Sequence, residues 1–281
     1  DADTLLRQAG LAVEYARRDP ESSISLFSAG VGEEVGRQGL LEERLLTALE
    51  DDKLSVVFQP RVDTQTGRMV SAEALVRWHD DVRGFVSPAE FIPMAARLNI
   101  IGALDLWVLE QSVAQFKAWQ NEGLPAIPVS VNLAGADLVR ETLPQEIAQV
   151  LRRYDLPPHL LELEVTEHSV IEDIDRARGI MEATRALGVI FALDDFGTGY
   201  SSLSYLTSIP VDVIKIDRSF VQKMNTSSQA LRLVGSIISM AKGLGARLVA
   251  EGAETADEVA RLQELQCEEV QGYYFSRPLK P

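Results

Sequence analysis

Polar residues recur near the carboxyl ends of several short β-rich segments of the sequence. Side chains alternate between the two faces of a strand, so the segment 160–167 places Glu162 and Glu164 on one face. The same alternation puts Glu73 and Arg77 together. In a parallel barrel the carboxyl ends of the strands form one mouth, so these residues are candidates for a single site. The candidates are Glu73, Arg77, Asn132, Glu164, Asp194, Lys215, Asp217, Glu251 and Gln271.

This set of carboxylates predicts bound metal. Burying an unpaired carboxylate is costly, and each like-charged neighbour raises that cost, so divalent cations are expected to supply the missing charge. Carboxylate and amide oxygens are hard donors suited to Mg²⁺ or Mn²⁺. The three histidines, His79, His159 and His168, lack the spacing of zinc ligands. A salt bridge or a helix cap explains any one of the polar residues better when it is taken alone, so the prediction rests on the whole set.

Two adjacent aspartates, Asp194 and Asp195, precede Gly197 and Gly199. Neighbouring residues on an ideal strand point to opposite faces, so both can reach one site only where the strand ends and turns. The glycines permit such a turn. One carboxylate shared between two metals, with its neighbour binding one of them, is a natural use of the pair. The alternative is an ordinary turn rich in aspartate and glycine.

Alternating strand and helix patterns indicate the elements that position these residues. The prediction is an α/β fold, a modified (β/α)8 TIM-like barrel with a short N-terminal helical segment. Only about ten residues join the first two strands, too few for a crossover helix, so strand one is expected to be antiparallel. The predicted strands are 54–59, 70–78, 128–133, 160–167, 189–196, 213–217, 247–252 and 269–275. The predicted helices include 88–97, 104–119, 171–187, 229–244 and 257–265.

Composition restricts the class of protein. The 281 residues suit one large barrel domain, and 46% hydrophobic content is ample for its core. The net charge of −15 disfavours DNA and anionic membrane as partners. No apolar run approaches the roughly 20 residues of a spanning helix, so no direct membrane contact is expected from this segment. Cys267, the single cysteine, is interpreted as a small core residue, which fits a cytoplasmic protein.

The first fifty residues follow a different pattern. Residues 3–19 predict a helix, and residues 24–27 predict a short strand. Gly30, Gly32 and Gly36 are expected to loosen the chain before a charged helix at about 40–50. None of these residues is a candidate for the site.

The ordered motifs resemble the EAL domain family. Glu73-Ala74-Leu75, followed by Val76-Arg77-Trp78, resembles the signature that names it. The resemblance covers roughly residues 40–281. Ala253 stands where the family usually has valine, and residues 79–83 lack a common proline; neither departure touches a catalytic position. The further matching motifs are QP at 59–60, SPAEFIP at 87–93, VNL at 131–133, LEVTE at 163–167, DDFGTGYSSL at 194–203, VDVIKIDRSF at 211–220, AEGAET at 250–255 and VQG at 270–272.

The resemblance implies hydrolysis of one phosphodiester of cyclic di-GMP to linear pGpG, with two Mg²⁺ or Mn²⁺ ions per active site. The residues that match the family's ligands of the first metal by position are Glu73, Asn132, Glu164 and Asp194. Those that match the ligands of the second metal are Asp194 and Asp195.

The resemblance also assigns roles to the residues around the metals. Lys215 would contact the attacking water, Glu251 could act as its base, and Gln271 would order the site. The substrate contacts would come from Gln59, Arg77, Asp217 and Glu254. The loop expected to couple dimer contacts to metal binding contains Phe196, Gly197, Thr198 and Gly199, steadied by Glu167.

Residues 1–27 resemble, more weakly, the end of a GGDEF domain. The expected organisation is a GGDEF-like remnant and linker at 1–36 and an EAL phosphodiesterase domain at 37–281. A homodimer and an upstream GGDEF or sensory domain are the expected partners. The segment is expected to be cytoplasmic, and anchoring of a full-length protein to the inner membrane is left open.

Two alternatives remain for the function. One is a non-catalytic cyclic di-GMP receptor, since some family members have lost their metal ligands. The other is a different Mg²⁺ barrel enzyme that abstracts a proton with Lys215 as base, which barrel architecture alone does not exclude.

Overall fold

The computed structural model describes residues 29–51, 53–197 and 205–281, and single helical positions at 2, 5–6, 8–10 and 12–13. The helix predicted at 3–19 is thus described in part, and the strand predicted at 24–27 lies outside the described residues. The chain forms two compact units. One comprises 1–54 with 78–100, and the other comprises 55–77 with 101–281.

The larger unit is built on a closed barrel of eight strands. The strands pair in the order β1-β9-β8-β7-β6-β5-β4-β2, and a further β1–β2 pairing closes the ring. From β2 through β9 these barrel strands run parallel to their neighbours. The barrel strands are β1 (Leu54–Asp63), β2 (Met69–Asp80), β4 (Val129–Asn132), β5 (Leu161–Thr166), β6 (Ile190–Phe196), β7 (Val213–Ile216), β8 (Arg247–Glu251) and β9 (Glu269–Gln271).

Strand β1 runs antiparallel to β9, with Val62 opposite Val270, as the short connection predicts. The turn to β2 is fixed by Asp63, whose Oδ1 accepts from the Thr66 backbone N–H at 2.7 Å. Gly67 ends the turn with φ 67°, a conformation that glycine adopts without strain. The predicted modified barrel with an antiparallel first strand is confirmed.

Helices cover the outside of this unit. Residues 171–187 form two helices rather than the single one predicted, because the chain breaks at Asp173 (φ −146°, ψ 76°). The Asp173 carboxylate then caps the second helix by accepting from Arg176 N at 3.3 Å. The helices are α3 (Ile101–Asn121), α4 (Leu143–Tyr154), α5 (Glu167–Glu172), α6 (Ile174–Arg185), α7 (Arg218–Lys223), α8 (Ser228–Leu244) and α9 (Ala256–Glu264).

The last predicted strand, 269–275, is shorter in the structure and ends at Gln271. Gly272 follows it, and a Cβ atom there would overlap the backbone of Ala253. Two segments approach so closely here that the chain must turn away, which explains why the pattern of alternation overestimated the strand.

Outside the barrel wall, the Phe58 ring packs edge-on against Trp119, with centroids 4.9 Å apart.

The smaller unit contains α1 (Ala29–Ala48), the hairpin between the end of β2 and β3 (Gly84–Val86), and α2 (Pro88–Arg97). The prediction that glycines loosen the chain before a helix at 40–50 was wrong, because α1 begins at Ala29. Leu41, Leu45 and Ala48 lie on one face and are buried. Their burial offsets the roughly 1 kcal/mol that each helical glycine costs relative to alanine.

Of the helices that the structure describes, none combines the length and apolar character needed to cross a bilayer.

Candidate active site

Lys215 lies in the barrel mouth with four carboxylates around its ammonium group. Its Nζ is 2.6 Å from Glu251 Oε1 and 3.1 Å from Asp194 Oδ2. Glu73 Oε1 is 3.9 Å away, and Glu164 Oε2 is in direct contact. The lysine side chain is 1% exposed, so solvent screens these interactions little. The structure therefore brings together residues from five different strands that the sequence pattern had singled out.

The strand registers explain this convergence. Side chains that share a parity on neighbouring parallel strands point into the same lumen. Most of these residues lie at or near the carboxyl ends of their strands, whereas Glu73 lies in the middle of the long β2. Glu164 and Glu162 are both buried on the lumenal face of β5, as alternation predicts. The aligned pairs are Asn132 with Glu164, Thr166 with Asp194, Lys215 with Val249, and Glu251 with Gln271.

Two amide side chains donate to Glu73, and a third supports one of them. Asn132 Nδ2 donates to Glu73 Oε1 at 2.9 Å, and Gln271 Nε2 donates to Glu73 Oε2 at 2.5 Å. The same Gln271 amide donates to Gln59 Oε1 at 3.2 Å. Gln59 in turn donates to the Ser276 carbonyl at 3.1 Å. Both oxygens of Glu73 are thus held by neutral donors, which leaves its charge available to a cation.

The pKa shifts differ in direction among the carboxylates of the site. Burial raises the pKa of Glu164, but Arg61 and Lys215 oppose it and lower the value to about 2. Burial raises the pKa of Glu251 to about 8, against the opposing effect of Lys215. Burial and the Glu164 charge also raise the pKa of Glu73. Two of the carboxylates are therefore insufficiently compensated by the positive charges near them.

Burial lowers the pKa of Lys215, but Asp194 and Glu164 outweigh it and raise the value well above the ordinary one. The side chain is therefore an ammonium group at neutral pH. A lysine that acts as a general base needs the opposite shift. This charge state disfavours the alternative in which Lys215 abstracts a proton.

The adjacent aspartates lie at a strand irregularity. The β6–β7 register shifts between Leu193 and Phe196, and Asp195 has φ 54°, in the left-handed region. The Asp195 backbone N–H donates to Asp194 Oδ1 at 2.8 Å. Burial and the neighbouring Asp194 raise the pKa of Asp195. The turn that the pair requires is present, although β6 continues formally to Phe196.

Glu167 joins the two ends of the loop that follows β6. Its Oε2 accepts from the Gly197 backbone N–H at 3.1 Å, and its Oε1 accepts from the Tyr205 hydroxyl at 2.9 Å. Gly197 has φ 93° and lies against Phe220, where a Cβ atom would come within 3.1 Å of the ring. Phe196 is buried, and Thr198 and Gly199 lie outside the described residues.

The remaining predicted residues lie at the periphery. Arg77 is half-buried, donates to the Val76 carbonyl at 2.8 Å and has a pKa lowered by burial. The Asp217 carboxylate caps α7 by accepting from Ser219 N at 3.0 Å. Glu254 is exposed and borders the cleft.

A solvent-open cleft of about 650 Å³ covers the site. Arg218 and Tyr273 also line it. Strand alternation places Tyr273 on the same face as Gln271, whereas Arg218 was not singled out from the sequence. Gly252 has φ 71°, and a Cβ atom there would overlap the Arg218 side chain. The motif at 250–255 pointed to this turn, but nothing in strand parity pointed to the arginine packed against it.

Arg61 is a further residue that the sequence prediction missed. It is fully buried in the lumen and contacts Glu162, Glu164 and Gln271. The predicted strand ended at Gln59, whereas β1 continues through Pro60 to Asp63. Extending the alternation from Gln59 by two residues is the signal that would have found it.

The donor chemistry fits a divalent cation. The lumen holds more carboxylates than cationic groups, and the raised pKa values of Glu73 and Glu251 reflect that excess. In the arrangement described, the carboxylates turn toward Lys215, and no three His, Cys, Asp or Glu side chains of the described residues form a ready-made cage. The oxygen donors that the site offers nonetheless belong to the type that Mg²⁺ and Mn²⁺ prefer.

The chain is similar to several known proteins. It is 38% identical to the cyclic di-GMP phosphodiesterase NbdA of Pseudomonas aeruginosa over 99% of this chain. It is 35% identical to the oxygen sensor protein DosP of Escherichia coli, also over 99% of this chain. The chain spans 35% of the length of each of these two relatives.

Solved structures share the fold. The PaMucR phosphodiesterase, described as a c-di-GMP complex, superposes with a TM-score of 0.82 at 35% identity, covering 86% of this chain and 98% of that one. The EAL domain of Mycobacterium smegmatis DcpA gives a TM-score of 0.68 at 33% identity, covering 80% and 91%.

One family model matches most of the chain. It is described as the EAL domain and aligns with residues 42–278, which include every strand of the barrel. The chain therefore belongs to the EAL domain family.

Proposed function

We propose that this chain hydrolyses one phosphodiester bond of cyclic di-GMP and releases linear pGpG. The observation that carries the proposal is the convergence of four carboxylates on Lys215 inside an EAL-family barrel. Relatives that are named cyclic di-GMP phosphodiesterase, and a similar structure described as a c-di-GMP complex, support this substrate.

Membership of the EAL phosphodiesterases implies use of a divalent metal. We infer two ions, Mg²⁺ or Mn²⁺, in each active site. When bound, they supply Lewis acidity, lowering the pKa of water and neutralising phosphate charge. The residues that would hold them are Glu73, Asn132, Glu164 and Asp194 for the first and Asp194 with Asp195 for the second.

The side chains of the site have separate roles in the proposed reaction. Lys215, held as an ammonium, orients the attacking water by donating a hydrogen bond to it. Glu251, whose Oε1 lies 2.6 Å from Lys215 Nζ, accepts the proton of that water. Gln271 keeps Glu73 in place. Arg77 contacts the substrate phosphate, a charge-assisted interaction, and Gln59, Asp217 and Glu254 contact the nucleotide.

Product analysis tests the proposal. The chain is incubated with cyclic di-GMP and Mg²⁺ or Mn²⁺, and nucleotides are separated by chromatography. The expected product is linear pGpG, formed only with the metal. Glu73→Ala should abolish turnover, whereas Glu172→Ala, which removes an exposed carboxylate, should leave it unchanged. Near-normal hydrolysis by Glu73→Ala would contradict the assignment.

The receptor alternative is separated by titrating the nucleotide with and without Mg²⁺. Binding that leaves cyclic di-GMP intact under both conditions identifies a receptor. Loss of the cyclic form only when metal is present identifies an enzyme.

The organisation of the longer protein is also proposed. We place a GGDEF-like remnant and linker at 1–36 and the EAL domain at 37–281, although α1 runs continuously through that boundary. An upstream GGDEF or sensory domain, a homodimer and a cytoplasmic location complete the proposal. For the dimer, Glu167 and the loop after β6 couple the partner contact to the metal site. Sedimentation of the wild type and of Glu167→Gln, with and without Mn²⁺, tests this coupling.

A further inference from the structure

Arg61 donates to three different acceptors in the interior of the barrel. Its Nε donates to Gln271 Oε1 at 3.0 Å, its Nη1 to Glu162 Oε1 at 2.5 Å, and its Nη2 to Glu164 Oε1. The side chain has no solvent exposure. Each nitrogen of the planar guanidinium thus has its own acceptor, one on β9 and two on β5.

The direction of β1 places this guanidinium beneath the site. Because β1 is antiparallel to the other barrel strands, it enters the lumen from the mouth and goes deeper along the chain. Because Val62 pairs with Val270, Arg61 lies opposite Gln271, and Gln59 lies two residues nearer the mouth on the same face. Arg61 is fully buried behind Gln271, and the lining of the cleft includes Gln271 but not Arg61.

Arg61 determines which atoms of Gln271 and Glu164 face the rest of the site. Gln271 presents its carbonyl oxygen to Arg61, so its amide nitrogen must donate to Glu73 and Gln59. Glu164 presents Oε1 to Arg61 and Oε2 to Lys215. One buried side chain thus fixes the orientation of an amide and of a carboxylate at the site.

We propose that Arg61 is a positioning residue, which holds the Glu164 carboxylate and the Gln271 amide in the orientation that the metal site requires. Its guanidinium donates to these two side chains and does not line the cleft. The inference rests on the proposed function, because it concerns the ligands of that site. Partners that orient metal ligands typically change metal affinity or activity by about 10- to 100-fold when they are lost.

The decisive variant is Arg61→Lys. Lysine keeps the positive charge, but its single nitrogen cannot serve three separate acceptors in the geometry of a planar fork. The matched control is Arg247→Met. Arg247 contacts Glu162 Oε2 at 3.2 Å and Glu269 Oε1 at 2.9 Å, so the control removes the other guanidinium from Glu162 and leaves Glu164 untouched.

The primary measurement is the Mn²⁺ dissociation constant, by calorimetry without nucleotide, beside the melting temperature of the metal-free protein. We expect Arg61→Lys to weaken Mn²⁺ binding by about tenfold or more and Arg247→Met to change it less than about twofold. In hydrolysis assays, Arg61→Lys should lower kcat with little change in KM.

Two results would overturn the inference. One is an Arg61→Lys protein that binds Mn²⁺ within twofold of the wild type. The other is equal loss of Mn²⁺ affinity in Arg247→Met, which would indicate a general effect of the ion network. If Arg61→Lys does not fold, the double variant Arg61→Met/Glu162→Leu removes both members of the buried pair, and the same Mn²⁺ criteria apply. If the wild type binds Mn²⁺ but hydrolyses no cyclic di-GMP, the proposed function fails while the Mn²⁺ comparison still tests Arg61.

Discussion

Gly272 lies where a single added methyl group should disturb the site. A Cβ atom there would overlap the Ala253 backbone, which cannot move like a flexible side chain. Gln271, which orients Glu73, immediately precedes it. Gly272→Ala should therefore lower the free energy of unfolding by about 2 kcal/mol or more, within the range of severe single substitutions.

Urea denaturation measures this effect, and Gly179→Ala is the matched control. Gly179 lies inside α6, and a Cβ atom added at this position would have no neighbour within 4 Å. That substitution should stabilise the protein by up to about 1 kcal/mol, because alanine favours the helix. Equal changes in the free energy of unfolding for the two variants would show that a Cβ atom at position 272 fits beside the Ala253 backbone.

Single residues also show what strand alternation can and cannot find. Parity identified Glu164 and Lys215, which lie near the ends of their strands, and Glu73, which lies in the middle of β2 within a regular pattern. It missed Arg61 because Pro60 has no N–H and is typical of a strand end. Arg218 follows β7 at the start of a helix, where alternation gives no information.

At the level of elements, α3 is linked to the loop after β4 by a buried acidic contact. Asp105 Oδ2 accepts from the Ala134 backbone N–H at 2.7 Å. Burial and a hydrogen bond with Asp137 raise the pKa of Asp105 well above its ordinary value. Asp137 in turn accepts from Arg140 Nε at 3.0 Å. At pH values above about 4, the folded protein therefore keeps a proton on Asp105 that the unfolded chain has released.

This proton makes stability depend on pH with a definite sign. The unfolded aspartate ionises near pH 4, so stability falls as pH rises above that value toward the raised pKa of the folded state. Asp105→Asn imitates the protonated form and lacks this loss. It should exceed the wild type by about 1 kcal/mol at pH 8 and match it near pH 4.

Thermal unfolding between pH 4 and pH 8 measures the difference. Asp175→Asn is the control, because Asp175 also lies at a helix but is 83% exposed. The control should show no comparable gain at pH 8. A constant difference between Asp105→Asn and the wild type at all pH values would contradict the protonated state.

Element boundaries were predictable where local patterns were strong. The helix Pro88–Arg97 has the predicted bounds, since Pro88 favours its first turn. The break at Asp173 and the early start of α1 at Ala29 were not predictable, because a capping contact and tertiary burial decide them. All eight barrel strands were found, whereas residues 198–204 lie outside the part of the chain that the structure describes.

For the whole molecule, the net charge of −15 should affect cation binding over long distances. A negative field attracts divalent ions, and dissolved salt screens that attraction. The Mn²⁺ dissociation constant should therefore rise by about tenfold between 20 and 500 mM KCl. Calorimetry at constant pH measures it, and a dissociation constant independent of KCl would show that only the local carboxylates matter.

The antiparallel β1 has a consequence for the order of folding. Its partner β9 lies about two hundred positions later, since Val62 pairs with Val270. At ribosomal rates of roughly 5–20 residues per second, β1 waits about 10–40 s for that partner. Until then the hydrogen bond between Gln59 and Gln271 cannot form. The hydrogen-bond network of the site is thus completed only at ring closure, after most of the barrel has been synthesised.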